Sequence, residues 1–138
     1  MKTNRIVLII LFIVLTQSSF SQSLLIKGFF KDVEKKSIQV EYILQSNNKV
    51  IYHGSDKKIK IELELNNDYV LIVSKDGFVS KTVSFSTQTN KRDDFYVEFE
   101  VCLKGDDSFG NSLSAYSAKV YYDNKLRAFN YEINKKQH

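Results

Sequence analysis

Hydrophobic and polar positions alternate with a period of two along most of the chain after Gln22. Successive side chains of a strand point to opposite faces, so this alternation predicts strands and not helices. Leu24 to Phe30 is a first strand, followed by a charged loop from Lys31 to Lys36. Ile38, Val40, Tyr42 and Leu44 then alternate with Gln39, Glu41 and Gln45. Asn47-Asn48 separates that run from Val50-Ile51-Tyr52; Asn tolerates the left-handed backbone of tight hairpins, so a turn is expected there. Gly54-Ser55-Asp56 marks a further turn. Lys57 to Leu65 carries the clearest pattern, with Ile59, Ile61, Leu63 and Leu65 on one face and Lys58, Lys60, Glu62 and Glu64 on the other. A strand half in the core and half in water needs this arrangement.

After a turn at Asn66-Asn67-Asp68, Tyr69 to Val73 is apolar at every position. That composition predicts a strand central in its sheet or buried on both faces. Asp76-Gly77 follows as a type I′ hairpin signal, and Phe78 to Phe85 returns. Ser84 to Asp94 reads as a polar loop. Phe95, Val97, Phe99, Val101 and Leu103 form another inward face against Tyr96, Glu98 and Glu100. Gly105 to Ser114 is small and polar, a long loop; Ala118 to Tyr122 and Phe129 to Ile133 are closing strands, the second at an edge. Seven to eight short strands at this spacing predict an all-β fold, an antiparallel β-sandwich, with a closed barrel as the alternative.

The N-terminus departs from the pattern. Lys2 and Arg5 precede ten unbroken apolar residues, Ile6 to Leu15, and Ser19 and Ser21 place small residues before Gln22. This is the layout of a helical secretory signal peptide, residues 1–21, cleaved between Ser21 and Gln22. The run is short for a membrane span, which needs roughly 20 apolar residues, so the mature chain is expected to carry no stable span. One domain is expected over residues 22–138, with a C-terminal extension from about residue 105.

Composition then narrows the chemistry. Removing residues 1–21 takes away two basic residues and no acidic one, so the formal charge of +4 falls to +2. That is ordinary for a globular chain and excludes nucleic acid as the expected partner. One Cys, Cys102, permits no intramolecular disulfide and no cysteine zinc cluster, and two His exclude a three-His metal site. Cys102 alternates with Val101 and Leu103, so it reads as a small hydrophobe in a strand. His53 beside Gly54 reads as a solvated turn residue, and His138 is the last residue. Glu62/Glu64 and Glu98/Glu100 read as solvated strand faces, and Asp93-Asp94 lies in a loop. Asp106-Asp107-Ser108-Phe109-Gly110-Asn111 offers oxygen ligands but lacks the spaced carboxylates and closing Glu of a calcium loop. There is no glycine-rich phosphate loop, and no cofactor is expected. Among the eight Tyr, Tyr116, Tyr121, Tyr122 and Tyr131 gather toward the C-terminal third, and they form the expected interaction surface.

Two stretches resemble a known family. Gly28-Phe29-Phe30-Lys31-Asp32 resembles the G-x-(apolar)-x-D opening of carboxypeptidase regulatory-like domains. Tyr69 to Lys81, with Ser74-Lys75-Asp76-Gly77-Phe78, resembles their Y-x-(apolar)-x-(apolar)-S-K-x-G-(aromatic) hairpin. The resemblance covers roughly Leu24 to Thr87. It implies a transthyretin-like or immunoglobulin-like sandwich and an accessory, non-enzymatic role. Glu34-Lys35-Lys36 departs from the Gly or Pro usual before the second strand, and no Gly precedes the strand beginning at Lys58. The expected protein is therefore exported to the periplasm, cell surface or medium, where it binds an envelope protein or a surface polysaccharide. A small carbohydrate-binding module is the alternative.

Overall fold

Residues 22–105 and 118–133 are described by the computed structural model. Ser21, Tyr116, the residue 106–111 stretch and His138 lie outside them, as does the expected signal peptide, and Gln22 is the first described residue. Among the described residues nine strands follow in order and there is no helix. They are β1 (Ser23–Asp32), β2 (Val40–Ser46), β3 (Lys49–Asp56), β4 (Lys58–Glu64), β5 (Asp68–Ser74), β6 (Lys81–Ser86), β7 (Phe95–Leu103), β8 (Ala118–Asp123) and β9 (Ala128–Ile133). They build a three-stranded sheet, β4-β1-β7, and a six-stranded sheet, β3-β2-β5-β6-β8-β9.

Alternation decides which side of each sheet is buried. Leu24, Ile26, Phe30, Ile59, Leu63, Val97, Phe99, Val101 and Leu103 come from the smaller sheet. Val40, Tyr42, Leu44, Tyr69, Leu71, Val73, Val83, Phe85, Ala118, Val120 and Phe129 come from the larger one, and all join one core. Ring contacts cross between the layers: Phe30 to Tyr42 at 5.9 Å, Phe85 to Phe99 at 5.5 Å and Phe95 to Phe129 at 5.1 Å between centroids. Two facing layers with a shared core are consistent with a sandwich, and among the described residues both sheets have free edges, unlike a closed barrel.

Four expectations are corrected. The described residues form nine strands and not seven or eight. The pairing is mixed: β1 runs parallel to β7 and β6 parallel to β8. Parallel neighbours need long crossover connections, and alternation within a strand carries no information about them. Gly54-Ser55-Asp56 is the end of β3 and not a turn, and Ser84 to Ser86 belong to β6 and not to a loop.

Two motifs of the sequence have local physical reasons. At Gly28 a Cβ would lie 2.5 Å from Phe99 Cζ and 2.9 Å from Ile59 Cγ2, so only a residue without a side chain lets those neighbours close over β1. Asp32 Oδ1 accepts the N–H groups of Glu34 at 2.9 Å and Lys36 at 3.0 Å, which folds the charged loop back on itself. At Asp76-Gly77 the Phe78 N–H donates to the Lys75 carbonyl at 3.0 Å. Only Gly77 takes positive φ (81°), the signature of a type II turn and not of type I′. Beyond it the chain leaves β5: Phe78 bridges to Gly105, and the Val79 N–H donates to the Lys104 carbonyl at 2.9 Å.

Candidate functional site: an edge strand and its trough

β3 is reached from β2 by a two-residue turn in which Asn47 (φ 52°) and Asn48 (φ 61°) both adopt the left-handed backbone. Ser46 faces Lys49 across it. Leu44 faces Tyr52 while Gln45 faces Val50, so Ile51 is an extra residue and the ladder bulges there. Among the described residues β2 is the only strand that pairs with β3. None of the eight residues of β3 is buried, and Val50, Ile51 and Tyr52 are 53%, 51% and 47% exposed.

A ladder of rings leads from the core to this edge. Phe30 stacks on Tyr42 with planes 27° apart, and Tyr42 stacks on Tyr52 at 6.0 Å and 13°. Gly54 makes this possible, because a Cβ there would lie 2.6 Å from Tyr42 Oη. Burial first, and the hydroxyl of Tyr52 second, push the Tyr42 phenol up to about 12.

The other edges carry charge. β4 bears Lys58, Lys60, Glu62 and Glu64. β7 bears Glu98 and Glu100, and Glu100 lies 3.2 Å from Lys31 Nζ and 2.9 Å from Lys35 Nζ. Those two ammonium groups hold the Glu100 carboxyl below the ordinary carboxylate value. β9 bears Glu132, 3.9 Å from Lys119. Charged side chains on an edge strand discourage pairing with another chain. From Val50 to Ser55, β3 has no charged carboxylate, lysine or arginine, and the sequence contains no Pro to block it.

An open trough of about 550 Å³ lies at one end of β3, lined by Gln39, Glu41, Ser55, Ser74, Asp76 and Ser80 among others. A second hollow of about 420 Å³ shares Glu41, Ser55 and Ser74 with it and adds Ile43 and His53. Lys75 Nζ donates to the Gln39 carbonyl at 2.9 Å and so is held at the trough wall.

The tyrosines expected to form one surface are divided among the described residues. Tyr121 has Lys119 Nζ 5.1 Å over its ring and is not packed on the core. Tyr122 and Tyr131 pack against the core: Tyr122 in a cluster with Phe95 (5.6 Å) and Phe129 (5.4 Å), Tyr131 beside Phe99 (5.8 Å). The Tyr131 hydroxyl donates to the Glu100 carbonyl at 2.8 Å, linking the two sheets, and burial raises its pKa. Cys102 is half-buried on β7 with Sγ 3.3 Å from the Asp32 carbonyl. His53 is exposed on β3, and Asp93 and Asp94 are exposed. Among the described residues no group of three His, Cys, Asp or Glu side chains is placed to hold a metal, and no helix is long and apolar enough to cross a membrane.

Sequence reasoning passed over β3 as a site. The available signal was the uncharged run Val50-Ile51-Tyr52 directly after a tight-turn pair. No protein-family model matches the chain, and no curated protein matches it.

Proposed function

We propose that this is an exported, non-catalytic β-sandwich module of a cell envelope that works by binding, and that β3 is its contact strand. The observation that carries the reading is the exposed edge from Val50 to Ser55, which bears no carboxylate, lysine or arginine. An extended segment added there would satisfy the outward backbone groups of β3, the mode in which main-chain hydrogen bonds supply affinity. The trough then gives side-chain discrimination beside the added strand. The resemblance to carboxypeptidase regulatory-like domains supports the same reading, since Gly28, Asp32 and Gly77 shape turns and packing.

The reading is tested by expressing the full chain in a Gram-negative host with a photoreactive group in place of Tyr52. N-terminal sequencing of the exported protein is expected to begin at Gln22. Irradiation is expected to give adducts from position 52 and none from a position on β4, such as Lys60. An uncleaved cytoplasmic product, or adducts from Lys60 alone, would contradict the proposal.

A carbohydrate-binding module is the second reading. The hydroxyl and carboxylate lining of the trough (Glu41, Ser55, Ser74, Asp76, Ser80) with Phe78 at its wall favours it. Binding on a glycan array that is lost in Glu41→Ala and kept in Ile51→Lys would select it.

A further inference from the structure

We infer that β3 docks on β3 of a second copy of this chain, antiparallel, with Tyr52 of each copy at the two-fold axis. This rests on the reading of β3 as the contact strand and names its occupant.

Opposed residues in an antiparallel pair point to the same face. A two-fold axis normal to the sheet therefore passes midway between a residue and its own copy. Tyr52 is the residue that gains most at that point. It is the outermost ring of the Phe30–Tyr42–Tyr52 ladder, with spacings of 5.9 and 6.0 Å, and it is 47% exposed. Tyr52 of the second copy continues the ladder across the interface, and paired rings at such spacings attract beyond the area they bury.

Charge selects the direction. β3 begins with Lys49, ends with Asp56, and has no carboxylate, lysine or arginine between them. An antiparallel pair sets the Lys49 end of each strand beside the Asp56 end of the other; a parallel pair would set like charges side by side. The strand is thus complementary to itself in rings, in charge and in its row of outward backbone groups. Pairing joins two six-stranded sheets edge to edge.

The test uses the full-length gene, expressed and purified after export, in a Cys102→Ser background. Opposed Cα atoms in an antiparallel pair lie about 4.5–5.5 Å apart, within the roughly 4.4–6.8 Å a disulfide spans. Tyr52→Cys is therefore expected to give a disulfide-linked dimer under mild oxidation. Ser55→Cys lies about 20 Å from its own copy at ~3.4 Å per residue, so it is expected to remain unlinked. Sedimentation is expected to show a dimer for the unsubstituted chain and at least tenfold weaker association for Ile51→Lys, with an unchanged far-ultraviolet spectrum showing that the variant folds.

A monomer at every concentration, equal linking of both cysteine variants, or an undiminished Ile51→Lys dimer would each overturn the inference. If the chain is a monomer, the photoreactive group at position 52 separates the two ideas. An adduct with a different envelope protein removes the second copy but keeps β3 as the contact strand; no adduct removes both.

Discussion

Thr87 is the buried polar side chain of the described core, and its hydroxyl is fully used. Its proton is within reach of the carbonyls of Glu64 (2.8 Å) and Asn67 (2.9 Å), while its oxygen accepts the Asn67 N–H at 3.0 Å. The Tyr69 hydroxyl meets Glu64 beside it, accepting its N–H at 3.1 Å. Together they pin the β4–β5 turn, where Asn66 has φ 62°, to the end of β6. Thr87→Val keeps the shape but takes the acceptor from the Asn67 N–H, while the Glu64 carbonyl keeps the Tyr69 hydroxyl and the Asn67 carbonyl keeps the Thr87 N–H; it is expected to lower the unfolding free energy by about 1–3 kcal/mol, measured by urea titration. Thr87→Ser is expected to retain most of it. At Gly28 the added methyl of Gly28→Ala meets Phe99, which is buried, and the overpacking is expected to cost about 1–3 kcal/mol in the same assay. Tyr42 gives a pH signature. Its folded pKa, raised to about 12, lies above the ordinary value of 10.0. Its contribution is complete below pH 10 and is lost as pH rises toward 12, because the unfolded chain ionises first. Stability is therefore expected to fall less steeply across that window in Tyr42→Phe than in the unsubstituted chain, read from unfolding midpoints at each pH.

At the scale of the element, legibility followed from whether a strand has one wet face. β4 was readable because Ile59 and Leu63 are buried while Lys58, Lys60, Glu62 and Glu64 are exposed. β5 was readable as a central strand: Tyr69, Leu71 and Val73 are buried, Val70 and Ile72 half-buried, with β2 and β6 on either side. β3 was not readable as one strand, because both its faces meet water and the bulge at Ile51 breaks its period. Tyr121, Tyr122 and Tyr131 looked alike in composition. Inward parity sends Tyr122 and Tyr131 to the core and leaves Tyr121 outside it. Thr87 sat in a polar run, and only the approach of β4 explains its burial. The β2–β3 turn has its own test. Asn47 and Asn48 hold positive φ, which costs most residues roughly 1–2 kcal/mol each. Asn47→Ala with Asn48→Ala is expected to destabilise by about 2–4 kcal/mol, and Asn48→Gly to be close to neutral, both measured by thermal unfolding.

At the scale of the molecule, the two sheets divide the work. The rings and aliphatic side chains between them hold the fold, and Tyr131 ties β9 to β7 at one side through the Glu100 carbonyl. Charged rows line the β4 and β7 edges and Glu132 marks β9, so those edges are poor sites for pairing. Between Val50 and Ser55 β3 has no such charged row, and the proposed contact lies there for that reason. The parallel neighbours β1–β7 and β6–β8 join segments far apart in sequence, which no local pattern encodes. The most direct measurement is amide hydrogen exchange on the chain, first dilute and purified, then concentrated and within envelope extract. New protection confined to Val50–Ser55 is expected on association. Unchanged fast exchange in that segment, with new protection around Tyr121 or on β4 instead, would contradict it.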